Sequence, residues 1–326
     1  MTSYRIFRAF APFALVVSAL CGSGAWAQAY PNKPIRLINP WPAGGPADAV
    51  ARPITQRLGE ALGQPVIMEN RPGNNGVIGS AAVAKAAPDG YTLLFSHVGP
   101  TAISPALQSS MPYDSVKDFA PITQVTSSPL MLVCRPDVPA RNLPELIAYA
   151  KANPGKLNYG SFGNGSTAHL AGEMLKTMAG INLVHVAYKG AAPVMTDLLG
   201  GQIDCAFFNV AGVVPQIKTG RLRGYAVTTL RRLPLLADYP SVHETLPGFE
   251  VNSWFGLMAP AGTPREIVTR LQAEVARIIR TPEVAEAYKQ SGLDVEGTTP
   301  DEYAEKVKVD LVRWNRLIKT MGIKAD

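Results

Sequence analysis

Charge is scarce in this sequence: aspartate, glutamate, lysine and arginine make up 17% of the residues, and the net charge is only +6. No run of lysine and arginine stands out, and "TLRRLPLL" is too small to be the basic stripe that nucleic acid requires. Histidine is rarer still. The four, His97, His169, His185 and His243, have no spacing that suits shared metal ligation. There is no Cys-x-x-Cys pair, no Gly-x-Ser-x-Gly elbow and no His-Glu-x-x-His, so neither a metal centre nor a hydrolase is announced. With 47% hydrophobic residues, the chain is nevertheless well supplied for a globular core.

The first 27 residues read as a secretory signal. Arg5 and Arg8 form a basic start, "AFAPFALVVSAL" is a short apolar run, and Ala25 and Ala27 flank a small-x-small cleavage site. The run is shorter than the ~20 residues a membrane span needs. Cleavage after Ala27 is expected; Leu20 before Cys21 fits a lipoprotein signal poorly. Two cysteines then remain, Cys134 and Cys205. Export permits a disulfide, but both lie in apolar strand-like runs, "LMLVC" and "CAFF", and free buried thiols are the expectation.

Nine short apolar segments, from "IRLIN" to "NSWFGLMAP", alternate with helical ones, and the C-terminus reads as three consecutive helices. Such alternation predicts α/β architecture with parallel-rich sheets flanked by helices. Nearly 300 residues exceed one ordinary core, so two lobes are expected. Crossovers near "ITQVTSSPLML" and "GFEVNSWFGLM" place lobe one at 28–126 plus 253–326 and lobe two at 127–252.

Two turns carry the chemistry. "NPWPAGGPADAVAR" puts Gly44, Gly45 and Pro46 between a strand and a helix. Glycine admits positive φ and close approach of a guest, and the helix start offers unpaired N–H groups and partial positive charge. Asp48 either caps this helix or accepts a hydrogen bond from a ligand. "LNYGSFGNGSTAHLAGEML" is built alike: Gly163, Asn164 and Gly165 lead to a helix capped by Ser166 or Thr167, and Ser161, Ser166 and Thr167 supply hydroxyl donors. His169 falls in that first turn, packed or in contact with ligand. The two turns should face each other and hold one anion. "GNGSTA" also matches the dinucleotide pattern G-x-G-x-x-A, but the following strand, "LVHVAYKG", lacks the acidic residue that fold needs. No cofactor or metal is expected.

The order and spacing of "YPNKPIRLINPWPAGGPADAVAR", "GQPVIMENRPG", "MPYDSVKDFAPI", "LNYGSFGNGSTAHLAGE", "HVAYKGAAPVMTDLLGGQID" and "LMAPAGTP" resemble the Bug-type extracytoplasmic receptors of tripartite tricarboxylate transporters. The resemblance covers almost all of the mature chain. It implies a periplasmic two-lobed receptor of the type II-like binding-protein fold, without catalysis. Such a protein is expected to be a monomer that serves membrane permease subunits. The resemblance also implies that Pro42–Asp48 and Ser161–His169 hold a carboxylate. Trp41, Pro42 and Ala43 stand where the family commonly has Phe-Pro-Pro. Phe208, followed by Asn209, stands where it commonly has aspartate, which disfavours an amino-acid ligand. Trp41 and Phe208 either add aromatic surface to the pocket or pack inside their own lobes. Asn74 and Asn75 replace residues that are usually small. A ligand sensor for a membrane signalling protein and an exported α/β enzyme are the alternatives.

Overall fold

The computed structural model describes residues 30–323; the expected signal and Cys21 lie outside them. One mixed sheet runs through the molecule in the order β2-β1-β3-β9-β4-β7-β5-β6. Its first half comprises β1 (Ile35–Asn39), β2 (Val66–Asn70) and β3 (Thr92–His97), which are mutually parallel through β1. The second half comprises β5 (Asn158–Ser161), β6 (Val184–Ala187) and β7 (Cys205–Asn209), parallel through β5. Two long antiparallel strands join the halves: β4 (Phe119–Cys134) and β9 (Asn252–Pro260).

β4 changes partners midway. It pairs with β9 as far as Pro129 and with β7 from Leu130 onward. It also pairs antiparallel with β8 (Arg223–Val227) and with the two-residue β10 (Asp294–Val295). The register slips near Pro121, and Pro129 sits at the exchange of partners. Both prolines thus fall where a missing N–H is tolerated.

Helices cover the faces. The first half carries α1 (Pro46–Leu62), α2 (Val77–Ala84), the short α3 (Ser104–Leu107), α9 (Arg265–Ile279) and α10 (Pro282–Gln290). The second carries α4 (Leu143–Ala152), α5 (Thr167–Ala179), α6 (Ala191–Leu199), α7 (Val210–Lys218) and the one-turn α8 (Val242–Thr245). Helix α9 shows why such segments dock: Val268, Leu271, Val275, Ile278 and Ile279 share one buried face.

The C-terminal α11 (Pro300–Met321) opens with a capping box between Thr299 and Glu302 and packs against β4, α3 and α5. Its Trp314 is buried, and its Asp310 accepts a 2.7 Å hydrogen bond from the buried indole of Trp254. The Tyr303 hydroxyl reaches Ser96 Oγ at 2.7 Å. A Cβ on Gly256 would lie 2.3 Å from that hydroxyl, so only glycine fits there.

Cys134 and Cys205 form a disulfide, contrary to the expectation of free thiols. They are direct antiparallel partners on β4 and β7. The apolar runs that suggested simple packing are the two strands whose register brings the sulfurs together.

Candidate ligand site

Four helix N-termini converge on one cavity of about 150 Å³. α1 contributes Gly45 and Ala47, and α5 contributes Ser166 and Thr167. α6 contributes Gly190 through Pro193, and α7 contributes Asn209. α1, α6 and α7 have no side-chain cap at all. Pro46 and Pro193 have no N–H and the Asp48 N–H bonds the Gly45 carbonyl, but the remaining first-turn N–H groups need water or a guest, and each helix adds roughly half a positive charge at its start. Ser166 does cap α5, accepting from the His169 N–H at 3.2 Å.

The lining includes no carboxylate, and its one charged residue is the exposed Lys189 just before α6. Among the described residues no ion pair engages that lysine.

Rings wall the rest. Trp41, His97, Phe162 and Phe255 line the cavity. Trp41 meets His97 edge-on at 5.2 Å, and His97 tilts over Phe255 at 4.9 Å. The histidine is neutral. Its Nδ1 accepts from the Gly99 N–H at 3.0 Å, so Nε2 carries the proton and donates to Ser253 Oγ at 2.7 Å. Burial pushes its pKa down to about 3. Apolar cavities of this size accept about one six-membered ring.

The first predicted turn is held from behind. Asp48 is buried, 2% exposed, and does not reach the lining. Its Oδ2 accepts from the Gly44 N–H at 2.8 Å and from Arg52 at 3.0 Å. Its Oδ1 accepts from Asn39 and Asn70 at 2.7 and 3.1 Å. The side chain thus fastens the turn to β1 and β2. Burial alone would raise its pKa, but the bonds from Gly44, Asn70 and Arg52 outweigh this and hold it below the usual carboxylate value. Gly44 has φ 80°, as the turn demands; Gly45, at φ −85°, does not need glycine for its backbone.

The second turn presents fewer of its residues. Ser166 and Thr167 line the cavity, whereas Ser161, Gly163, Asn164, Gly165 and His169 do not. Ser161 is fully buried, with its Oγ 2.7 Å from His185 Nε2. That Ser–His pair is half-buried and does not line the cavity. His169 stacks on His185 at 4.3 Å and accepts from the Gly165 N–H through Nδ1. These groups shape the turn from within. Phe208 is also behind the wall: it is 4% exposed and meets Phe162 edge-on at 5.0 Å.

Of the residues read from the sequence, the cavity brings together Trp41, Pro42, Ala43, Gly44, Gly45, Ser166, Thr167 and Asn209. The N-terminus of α6 and the rings of His97, Phe162 and Phe255 were not anticipated. "YKGAAP" carried the signal for the first, because it repeats the strand, glycine, proline, helix order of the first turn. The rings come from three separate segments and left no local trace. Among the described residues no group of three or more His, Cys, Asp or Glu could hold a metal, and no helix is long and apolar enough to cross a membrane.

Comparison with known proteins places this architecture. Residues 50–323 match the model of the tripartite tricarboxylate transporter family receptor. Protein BugT of Bordetella pertussis is 36% identical over 300 residues, covering 91% of this chain and 92% of BugT. Among solved structures, R. palustris Rpa4515 with adipate superposes with a TM-score of 0.86 at 35% identity, covering 90% of this chain and 99% of that one. MatC from Rhodopseudomonas palustris with bound malate gives 0.83 at 32%, covering 89% and 100%. With the match extending over most of both chains, this chain belongs to the receptor family of the tripartite tricarboxylate transporters, whose members bind solutes and are not enzymes.

Proposed function

We propose that this receptor captures a small organic acid, a carboxylate or dicarboxylate with room for a ring, and delivers it to the permease subunits of a tripartite tricarboxylate-type transporter. The convergence of four helix N-termini on a cavity without a carboxylate carries this reading. Oriented N–H groups and helix dipoles stabilise an anion without a permanent countercharge. The ring-lined wall suits an apolar body, and Lys189 at the lining suits a second negative group. Adipate and malate in the two neighbouring structures agree with this chemistry.

The contacts assigned to the acid are Trp41, Pro42, Ala43, Gly44, Gly45, Ser166, Thr167 and Asn209. Asp48, Ser161, Gly163, Asn164, Gly165, His169 and Phe208 act through the turns and the wall that they hold. Residues 28–126 with 253–326, and residues 127–252, form the two lobes. They hinge where β4 exchanges β9 for β7. The protein works in the periplasm as a monomer after cleavage at Ala27.

Thermal unfolding in the presence of mono- and dicarboxylates, with and without rings, tests the reading. An acid at a hundred times its Kd stabilises by about 2.7 kcal/mol, which is roughly 4 °C in a chain of this size. If no acid raises the melting temperature while a neutral or cationic solute does, the proposal fails.

A further inference from the structure

Asn74 and Asn75 both adopt left-handed backbone, at φ 45° and 49°. Glycine reaches that region without strain. A side chain kept there therefore has work that glycine cannot do. For Asn74, itself exposed, the partner lies at the surface: its amide exchanges hydrogen bonds with the half-buried Gln108. Asn75 reaches much further. Its Nδ2 donates to the Gly165 carbonyl at 3.0 Å and to Ser104 Oγ at 3.3 Å, using both amide hydrogens. Its Oδ1 is buried and has no partner among the described residues, so the side chain is oriented by what it donates to.

The Gly165 contact joins the two halves of the molecule. Asn75 and Ser104 belong to the half built on β1 to β3, and Gly165 lies in the β5–α5 turn of the other. The approach is close there: a Cβ on Gly165 would lie 2.9 Å from Leu107 and 3.4 Å from Asn75 Nδ2. Gly165 directly precedes Ser166 and Thr167, which present the start of α5 to the cavity.

We propose that Asn75 is a positioning residue for ligand capture. By holding the Gly165 carbonyl it fixes the β5–α5 turn against the opposite half and slows escape of a bound acid. The effect on escape rests on the receptor reading above; the hold on the turn does not. Asn75→Gly removes the side chain and keeps the backbone conformation. Asn75→Asp keeps the shape but replaces the donor with a carboxylate facing a carbonyl.

Hydrogen exchange on the ligand-free protein reads the hold directly. In Asn75→Gly the Gly165, Ser166 and His169 amides should exchange roughly two- to tenfold faster, the worth of one hydrogen bond, while β4 amides stay unchanged. Stopped-flow release of adipate, malate and benzoate should quicken by a similar factor for every acid that binds, with association little altered. Asn75→Asp should exceed Asn75→Gly in both. Unchanged exchange in Asn75→Gly would overturn the proposal, because a merely backbone role survives in glycine. Unchanged release with faster exchange would restrict Asn75 to the turn and refute its part in capture. Failure of the wild-type protein to bind any acid would strike the receptor reading and leave the exchange result to decide on Asn75.

Discussion

Replacing Asp48 with asparagine isolates one oxygen of the site's support. Oδ1 receives the Asn39 and Asn70 amides, and the asparagine carbonyl can take over that task. Oδ2 receives the Gly44 N–H and the Arg52 guanidinium, and in Asp48→Asn both donors face another donor. Orphaning a partly buried N–H costs about 1–3 kcal/mol. Arg52 is 65% exposed, so losing its ion pair adds at most about 1 kcal/mol. A total near 2–3 kcal/mol follows. Unfolding entropy of ~2.1 cal/mol/K per residue, over roughly 290 folded residues, converts this to a melting point about 3–5 °C lower. Acid affinity should fall about tenfold or more, because the freed turn, Pro42 to Gly45, lines the cavity. Scanning calorimetry and titration of the acid measure the two effects. The folded pKa of Asp48 lies below its ordinary 3.8, so its contribution is complete above that value and is lost only as pH drops through the folded pKa. The gap between wild type and variant should therefore hold steady from neutral pH down to about 4 and close below it. A variant that melts within about 1 °C of wild type and binds as tightly would refute the assignment of Asp48 as the fastener of the turn.

His97 has a folded pKa of about 3 against an ordinary 6.5, so the stability it contributes is full above 6.5 and falls on acidification. Between pH 7 and 5 the wild type should lose roughly 2 kcal/mol through this ring, and His97→Gln should flatten the melting profile over that range; an unaltered slope would show that the ring is not held neutral. Cys134 and Cys205, 71 residues apart, close a loop whose cross-link is worth up to about 4 kcal/mol. The double alanine variant should melt several degrees lower, and denatured protein should show no free thiol at these positions; a positive thiol assay on unreduced protein contradicts the bond. Gly44→Ala should cost about 1–2 kcal/mol through backbone strain alone, because nothing lies within 4 Å of the added carbon. Gly45→Ala, at an ordinary φ, should be near neutral for folding; equal losses at both positions would mean that the turn is not governed by the left-handed residue.

The first turn was legible because its chemistry is local. Gly44 and Pro46 sit beside the strand they follow, and the conformations they favour are those the backbone adopts. The same holds for Gly163, Gly165 and the Ser166 cap. What the sequence hid depends on pairing across the sheet. The first half of β4 reads as a polar-apolar connector, with Pro121 and Pro129 inside it, yet it is a buried strand between β9 and β10. The disulfide follows from the register Cys134↔Cys205, which no local pattern encodes. Of the two placements open for Phe208, pocket surface or packing within its own lobe, the ring takes the second and supports Phe162.

That last placement bears on how ligand preference is written in this fold. In the function proposed above, the groups that hold an anion are backbone N–H groups at α1, α5, α6 and α7, and substitution does not remove a backbone N–H unless it introduces proline. Side chains decide whether each turn stays in place: Asp48 for α1, the Ser161–His185 and Gly165–His169 pairs for α5. Preference among acids then falls to the wall, where Trp41, His97, Phe162 and Phe255 fix the space for the body of the guest and Lys189 offers a single charge. Changes to the wall should alter which acid binds while leaving the affinity for carboxylates as a class, and changes to the fasteners should weaken all acids together. Comparing Phe162→Leu with Asp48→Asn on one panel separates the two. A uniform loss in the first, or a selective loss in the second, would mean that charge recognition and shape recognition are not divided between backbone and ring.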